Sequence, residues 1–269
     1  RSRGLGDVYK RQKQINRDLS IQFKGTFTFA RNRVMETDEA ADIRPALSAV
    51  GKPLNTLWGY VADGLYIDEA DIANNPTSTL GNITIAAGDV KYVDQPDVNG
   101  NYDGQIDSDD RVAIGHPTIP EIIYGFGPSI TWKKWDFSVF FQGQANVSLM
   151  MSGFEPFGTQ SKNNVLEWIA EDYWSKENQN PNAKYPRLTK YNNNNNMQSS
   201  TYWLRNAAFL KLKNAEVGYN FKWGRVYMSG TNLLTFSPFK LWDPEMGGGK
   251  GMAYPTQRTF NLGVQITFK

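Results

Sequence analysis

From Ile21 the chain alternates with a period of two. Ile21, Phe23, Gly25, Phe27 and Phe29 stand between Gln22, Lys24, Thr26 and Thr28. That spacing places apolar groups on one side of a strand and polar groups on the other. The pattern returns in Ile130 and Trp132, and again in Trp135, Phe137, Val139 and Phe141. Lys133-Lys134 leaves room only for a tight turn between them. A further pair runs through Ala215, Val217, Tyr219 and Phe221 and turns at Trp223-Gly224 into Val226 to Leu234. The last run is the most regular: Phe260, Leu262, Val264, Ile266 and Phe268 alternate with Asn261, Gly263, Gln265 and Thr267. Six strands follow, near 19–33, 121–132, 135–147, 207–221, 225–235 and 258–268.

A soluble β-sandwich also alternates in this way. Two features favour a transmembrane barrel instead. The runs are of 10–13 residues, longer than the usual five or six and suited to crossing a bilayer at a tilt. The connections are also asymmetric, with very short turns on one side and insertions at 35–120, 148–206 and 236–257 on the other. Outer-membrane barrels have short periplasmic turns opposite long extracellular loops. Six strands do not close such a barrel, for which eight is the common minimum, so the chain is expected to be a fragment. Residues 1–12 carry no apolar period, resemble translated adapter sequence, and are expected to be non-native, with an ordinary basic N-terminal linker as the alternative; they enter no strand of this reading. Residues 13–269 are then the barrel portion.

Composition narrows the chemistry. The 269 residues include no cysteine and one histidine, His116. Disulfides, thiolate zinc sites and cysteine nucleophiles are excluded, and a Ser-His-Asp triad has almost no material. A net charge of +2 excludes a strongly basic nucleic-acid binder. Eight Trp, 13 Tyr, 15 Phe and 24 Gly fit β structure with a binding or transport role rather than catalysis.

The first long insertion is acidic, with eleven Asp or Glu against Lys91 and Arg111 between residues 63 and 111. Within it, residues 99–110 have the spacing of the first half of a calcium loop. Asn99, Asn101 and Asp103 stand at positions 1, 3 and 5, Gly104 at the sharp turn, Gln105 next, then Asp107 and Asp110. Asn99, Asn101, Asp103, Gln105, Asp107 and Asp110 are the candidate Ca²⁺ ligands, with Asp97 a substitute for the weak Asn99. The alternative is a polar turn that binds nothing.

Several strings stand together in a recognisable order: Gly88-Asp89-Val90-Lys91-Tyr92, the Asp-Gly-x-Ile-Asp loop, Asp110-Arg111-x-x-Ile114-Gly115-x-Pro117, Phe209-Leu210-Lys211-Leu212-Lys213-Asn214, Trp242-Asp243-Pro244-Glu245, and Tyr254-Pro255-x-x-Arg258-x-Phe260. Over about residues 19–269 the chain resembles the C-terminal part of SusC/RagA-type TonB-linked outer-membrane receptors. Phe209 and Lys211 stand where Tyr and Arg are usual in that family, and Lys269 follows the terminal Phe268. The resemblance implies an all-β fold, the last strands of a 22-stranded plugged barrel in the cell outer membrane. It implies import of glycans or peptides, a SusD-like surface lipoprotein as partner, and coupling to TonB through a plug and TonB box N-terminal to this chain. Phe260, Leu262, Val264, Ile266 and Phe268 would meet outer-membrane lipid and supply the signal read by the barrel assembly machinery. No catalysis and no cofactor are implied.

The remaining candidates read as structure. Residues 165–174 have helical spacing, with Leu166, Ile169, Ala170 and Tyr173 on one face, and Trp168 and Trp174 are expected to pack rather than stack on sugars. Asn192 to Asn196 read as a solvated loop tip. Asp243 and Glu245 read as a tie for the last outer loop, and second as ligand contacts. The alternative function is a secreted or surface carbohydrate-binding β-domain without transport. A glycoside hydrolase is a distant third, because no pair of carboxylates stands out.

Overall fold

The computed structural model describes residues 2–40, 43–153, 165–190 and 193–268. Its centre is a seven-stranded antiparallel sheet of β1 (Ser2–Gln14), β2 (Leu19–Asn32), β3 (Ile122–Trp132), β4 (Trp135–Ala145), β5 (Phe209–Phe221), β6 (Gly224–Phe236) and β7 (Thr259–Ile266), in which each strand pairs with its sequence neighbours. No helix among the described residues is long and apolar enough to cross a membrane.

The strand pattern agrees with the sequence to within a few residues, with one correction. Residues 2–12, assigned to no strand from the sequence, fall in β1, which pairs with β2 from Ser2↔Asn32 to Gln14↔Ser20. Strand pairing uses backbone groups, so a segment without apolar periodicity can still cover the free edge of a well-patterned strand. The turn between them is closed by Asn16, whose Oδ1 accepts from the amides of Asp18 and Leu19 at 2.9 Å each. The main sheet therefore has seven strands among the described residues, the expected six and β1. Arg1 lies outside the described residues.

Register puts the alternating apolar groups on one face. Ile21↔Ile130, Ile130↔Phe137, Phe137↔Val217, Val217↔Met228 and Met228↔Leu262 make one row across six strands. The opposite face carries Gln22, Ser129, Ser138, Glu216, Ser229 and Asn261. The apolar face is open rather than packed: Phe260, Leu262, Val264 and Ile266 are all more than half exposed.

All three short turns sit at one end of the sheet, stitched by backbone bonds. The Lys133 amide donates to Asp18 O at 2.7 Å, the Asn220 amide to Lys134 O at 2.7 Å, and the Thr267 amide to Trp223 O at 2.8 Å. The three long connections leave the other end and fold on one another around two apolar cores. One gathers Val147, Leu149, Met151, Ile169, Tyr185, Trp203 and Phe239. The second gathers Tyr60, Leu65, Val90, Tyr92, Ile106, Trp174 and Ala183. Trp168 packs against the first core and Trp174 is buried in the second, as expected of packing rather than sugar stacking. The helix expected at 165–174 is one turn, Glu167–Ala170, with Ile169 fully buried. Leu166 at its N-cap gives no side-chain acceptor, so the turn lacks the side-chain cap that helps to start a helix.

Candidate functional site

The loop body is organised around Asp89, which is fully buried. Its Oδ1 accepts from Arg187 Nε at 2.7 Å, Asn193 Nδ2 at 2.8 Å and Asn196 Nδ2 at 2.9 Å. Its Oδ2 accepts from Arg187 Nη2 at 2.9 Å and the Ala86 amide at 2.9 Å. A carboxylate out of water requires such partners on every lone pair. The neighbouring asparagines finish the knot. Asn196 Oδ1 accepts from the Val90 amide, Asn195 Nδ2 donates to Val90 O, and the Tyr92 hydroxyl donates to Asn195 O at 2.6 Å. Gly88, at φ +85°, lies against the Trp174 ring where a Cβ would collide.

The asparagine run is therefore not a solvated tip. Asn193, Asn195 and Asn196 are completely buried, and Asn192 lies outside the described residues. Primary amides supply the donor and acceptor that a peptide bond would, so they can satisfy a buried strand end. Asp89, the partner of Asn193 and Asn196, and Val90, the partner of Asn195, are about a hundred residues away in sequence, which composition does not reveal.

The acidic loop is built from turns. Asp97 Oδ1 accepts from the amides of Asn99 and Asn101 at 2.7 and 2.9 Å, and these bonds hold its carboxyl below the usual range. Asp103 Oδ1 accepts from the Gln105 amide. Asp107 and Asp110 form a reciprocal capping box around Ser108–Asp110, and Asp110 also takes the Gln95 amide at 2.7 Å. Burial pushes the Asp110 carboxyl up. Gly104 has the positive φ of a sharp turn, +75°, and Ile106 anchors the segment in the second core. Among the described residues no group of three or more His, Cys, Asp or Glu converges as metal ligands. Asp94 adds a group missed in the sequence: its Oδ2 takes the Gly104 amide, while its buried Oδ1 has no partner.

At the root of the last loop, Lys211 of β5 is fully buried. It donates to Asp243 Oδ2 at 2.7 Å and to Glu245 Oε2 at 2.5 Å, and Lys213 adds a bond to Glu245 Oε1 at 3.1 Å. Burial is the largest single influence and opposes ionisation of both carboxyls, but the lysine hydrogen bonds and charge, with the Glu245 amide on Asp243, together hold both below their ordinary values. Asp243 and Glu245 thus tie the loop down, as their position before the terminal strand suggested. On the polar face of the sheet, Arg225 of β6 pairs with Asp136 of β4 and Glu216 of β5.

A sheet with one exposed apolar face, short turns at one end and a folded loop body at the other has the arrangement of strands and loops found in outer-membrane β-barrels. No protein-family model matches the chain. It is 31% identical to TonB-dependent receptor P26 of Formosa agariphila over an alignment of 210 residues, covering 67% of this chain and 20% of that protein. It is 26% identical to TonB-dependent receptor P3 of the same organism, covering 81% of this chain and 22% of that one. TonB-dependent receptor SusC of Bacteroides thetaiotaomicron is 26% identical, over 66% of this chain and 18% of its own length. Among solved structures, the RagAB peptide transporter aligns over 99% of this chain and 29% of its own, with TM-score 0.73 and 21% identity, a likeness of fold. The chain spans about a fifth of the length of the curated relatives it matches. It belongs to the SusC/RagA-type TonB-dependent receptors, as a piece of one.

Proposed function

We propose that this chain forms the C-terminal wall and part of the outer lid of a TonB-dependent importer that takes up glycans or peptides through the cell outer membrane with a SusD-like lipoprotein. The observation that carries this reading is the continuous apolar row across the sheet, exposed to its surroundings and matched by a polar row behind it. Such a face is stable against lipid and not against water. The loop body, packed around two apolar cores, offers a folded surface for a lipoprotein cap. TonB acts through a plug upstream of this piece. Phe268, beyond β7 and almost fully exposed, serves with the terminal strand as the assembly signal. A weak Ca²⁺ site in the acidic loop is part of the proposal. Asn99, Asn101, Asp103, Gln105, Asp107 and Asp110 would be gathered by the ion, since binding and local folding are coupled.

The test is made in the full-length receptor. Deleting its gene should abolish growth on one glycan or peptide source, and protease added to whole cells should reach the 35–120 and 148–206 loops. The carbohydrate-binding alternative predicts instead that residues 13–269 alone are soluble, monomeric and cooperatively folded without detergent. That outcome would remove the barrel reading.

A further inference from the structure

The short-turn end of the sheet carries charge that no function above has used. Arg17, Lys133, Lys134 and Lys222 lie in or beside the three turns, against the single acid Asp18. Lys133, Lys134 and Lys222 are exposed, and none forms an ion pair with a carboxylate among the described residues. Two of them lean on indoles: Lys133 Nζ is 5.6 Å from the Trp132 ring centroid and Lys222 Nζ is 5.7 Å from that of Trp223. Trp132, Trp135 and Tyr219 are in register with one another on the apolar face, with Trp135 and Tyr219 edge to face at 4.9 Å. This is an aromatic girdle with ammonium groups at its rim.

Above the girdle the apolar face is dented. A groove of about 410 Å³ runs over Ala215 and Gly230, which are paired and present little side chain, between Ile130, Phe137, Met228 and Phe260. Its size is that of pockets of about 300–1,000 Å³ that hold small ligands. Ile130 lies three residues from Lys133, Phe137 three and Val139 five from Lys134, and Ala215 lies seven from Lys222. At about 3.3 Å per residue the groove is roughly 10–17 Å from the first two lysines and about 23 Å, at Ala215, from the third. Cationic rim, aromatic belt and apolar trough thus follow one another along the strands in the order of phosphate, glycerol backbone and acyl chain.

We propose that this surface binds one anionic glycerophospholipid of the periplasmic leaflet, its phosphate between Lys133, Lys134 and Lys222 and an acyl chain in the trough over Ala215 and Gly230. The site rests on the barrel reading above. It commits to lipid in place of a second copy of the chain, because three unpaired cations at the rim would repel their own copies and match an anionic head group.

The probe is phosphatidylglycerol against phosphatidylethanolamine of identical chains, read by native mass spectrometry of the full-length receptor released from mixed nanodiscs. Phosphatidylglycerol is expected to be retained about fivefold or more over phosphatidylethanolamine, the preference that one surface lysine confers. The triple change Lys133→Gln, Lys134→Gln, Lys222→Gln should bring the ratio to parity. Ala215→Leu, which fills the trough with apolar atoms, should lower retention of both lipids while leaving their ratio unchanged. Equal retention in the unaltered receptor, a ratio unmoved by the triple change, competition by soluble glycerol phosphate, or dimers that displace the lipid would each overturn the site. Heat-modifiable migration of every variant is measured alongside. An unaltered receptor that migrates as a barrel but retains both lipids equally rejects the site alone, whereas a receptor without heat-modifiable migration rejects the barrel reading beneath it. Should Ala215→Leu fail to assemble, the exposed lysine variants still decide.

Discussion

Arg225 on β6 reaches over the intervening strand to Asp136 on β4, its Nε donating to Oδ2 at 3.0 Å, because residue 218 between them is glycine. A Cβ on Gly218 would occupy the space of the guanidinium and the carboxylate. Asn220 Nδ2 also donates to Asp136 Oδ2, at 2.7 Å, so three strands are tied on the polar face near the short turns.

That geometry predicts an order of effects. Gly218→Val should destabilise the full-length receptor by about 1–3 kcal/mol, the usual cost of overpacking. Arg225→Met should cost about 1 kcal/mol or less, since the pair is partly solvated and Asn220 remains. The temperature at which the purified receptor loses its compact gel migration measures both. An Arg225 effect equal to that of Gly218→Val would contradict the bridging role of the glycine.

Facing on the terminal strand is tested by neighbours. Val264 pairs with Val226 on the apolar face and Gln265 pairs with Arg225 on the polar face. An arginine toward lipid near mid-bilayer costs about 2–4 kcal/mol, while lumen positions accept polar groups. Val264→Arg should therefore deplete heat-modifiable receptor in outer-membrane fractions far more than Gln265→Arg. Phe268→Ala should lower the same signal through weaker recognition by the assembly machinery. Equal levels for the two arginine variants would refute the assigned faces.

The buried knot makes a prediction about the loop body. Asp89→Ala strands Arg187, Asn193 and Asn196, which donate to it. Loss of one partner of a buried charge pair typically costs about 3–5 kcal/mol. Limited proteolysis should cleave the 35–120 and 148–206 loops faster in this variant while the barrel persists. In the double variant Asp89→Ala, Arg187→Met the second change should add little. Additive effects would show that the two residues act separately.

Acid should loosen the last outer loop. Asp243 and Glu245 are held below their ordinary values by Lys211. Their contribution to stability is thus complete above the unfolded carboxyl range, near pH 4, and is lost as pH falls through their lower folded values. Protease cleavage within 236–257 should rise below about pH 4 and be reversed on neutralisation. Lys211→Met should leave that loop cleavable at neutral pH, and a pH-independent cleavage rate in the unaltered receptor would discard the clasp.

Calcium at the acidic loop is measured by calorimetry on the full receptor. Binding in the range of extracellular modules, about 10⁻⁴–10⁻³ M, is expected. Asp103→Ala and Asp107→Ala should each weaken it, and Asp94→Ala should as well, because its Oδ1 is the one carboxylate oxygen there that is buried without a partner. Absence of heat, or heat unchanged by all three, leaves the loop as a set of self-capped turns.

Alternation alone was enough to place six of the seven strands, their faces and the end from which the long loops leave. The reason is local: side chains on a strand point to opposite sides in strict succession, so a period of two in Ile21–Phe29 or Phe260–Phe268 is already a statement about surroundings. Asp243 and Glu245 were legible for a similar reason, as acids beside a proline turn next to the terminal strand. Three things were settled only by tertiary structure. Strand β1 has no pattern of its own and exists because β2 offers it a backbone edge. The buried role of Asn193, Asn195 and Asn196 depends on Asp89, Val90 and Tyr92 arriving from the other long loop. The lysine rim becomes one surface only when turns almost ninety residues apart are joined by the bond from the Asn220 amide to Lys134 O. Burial and charge convergence are sums over neighbours in space, and long loops choose those neighbours by packing, which leaves no period in the chain.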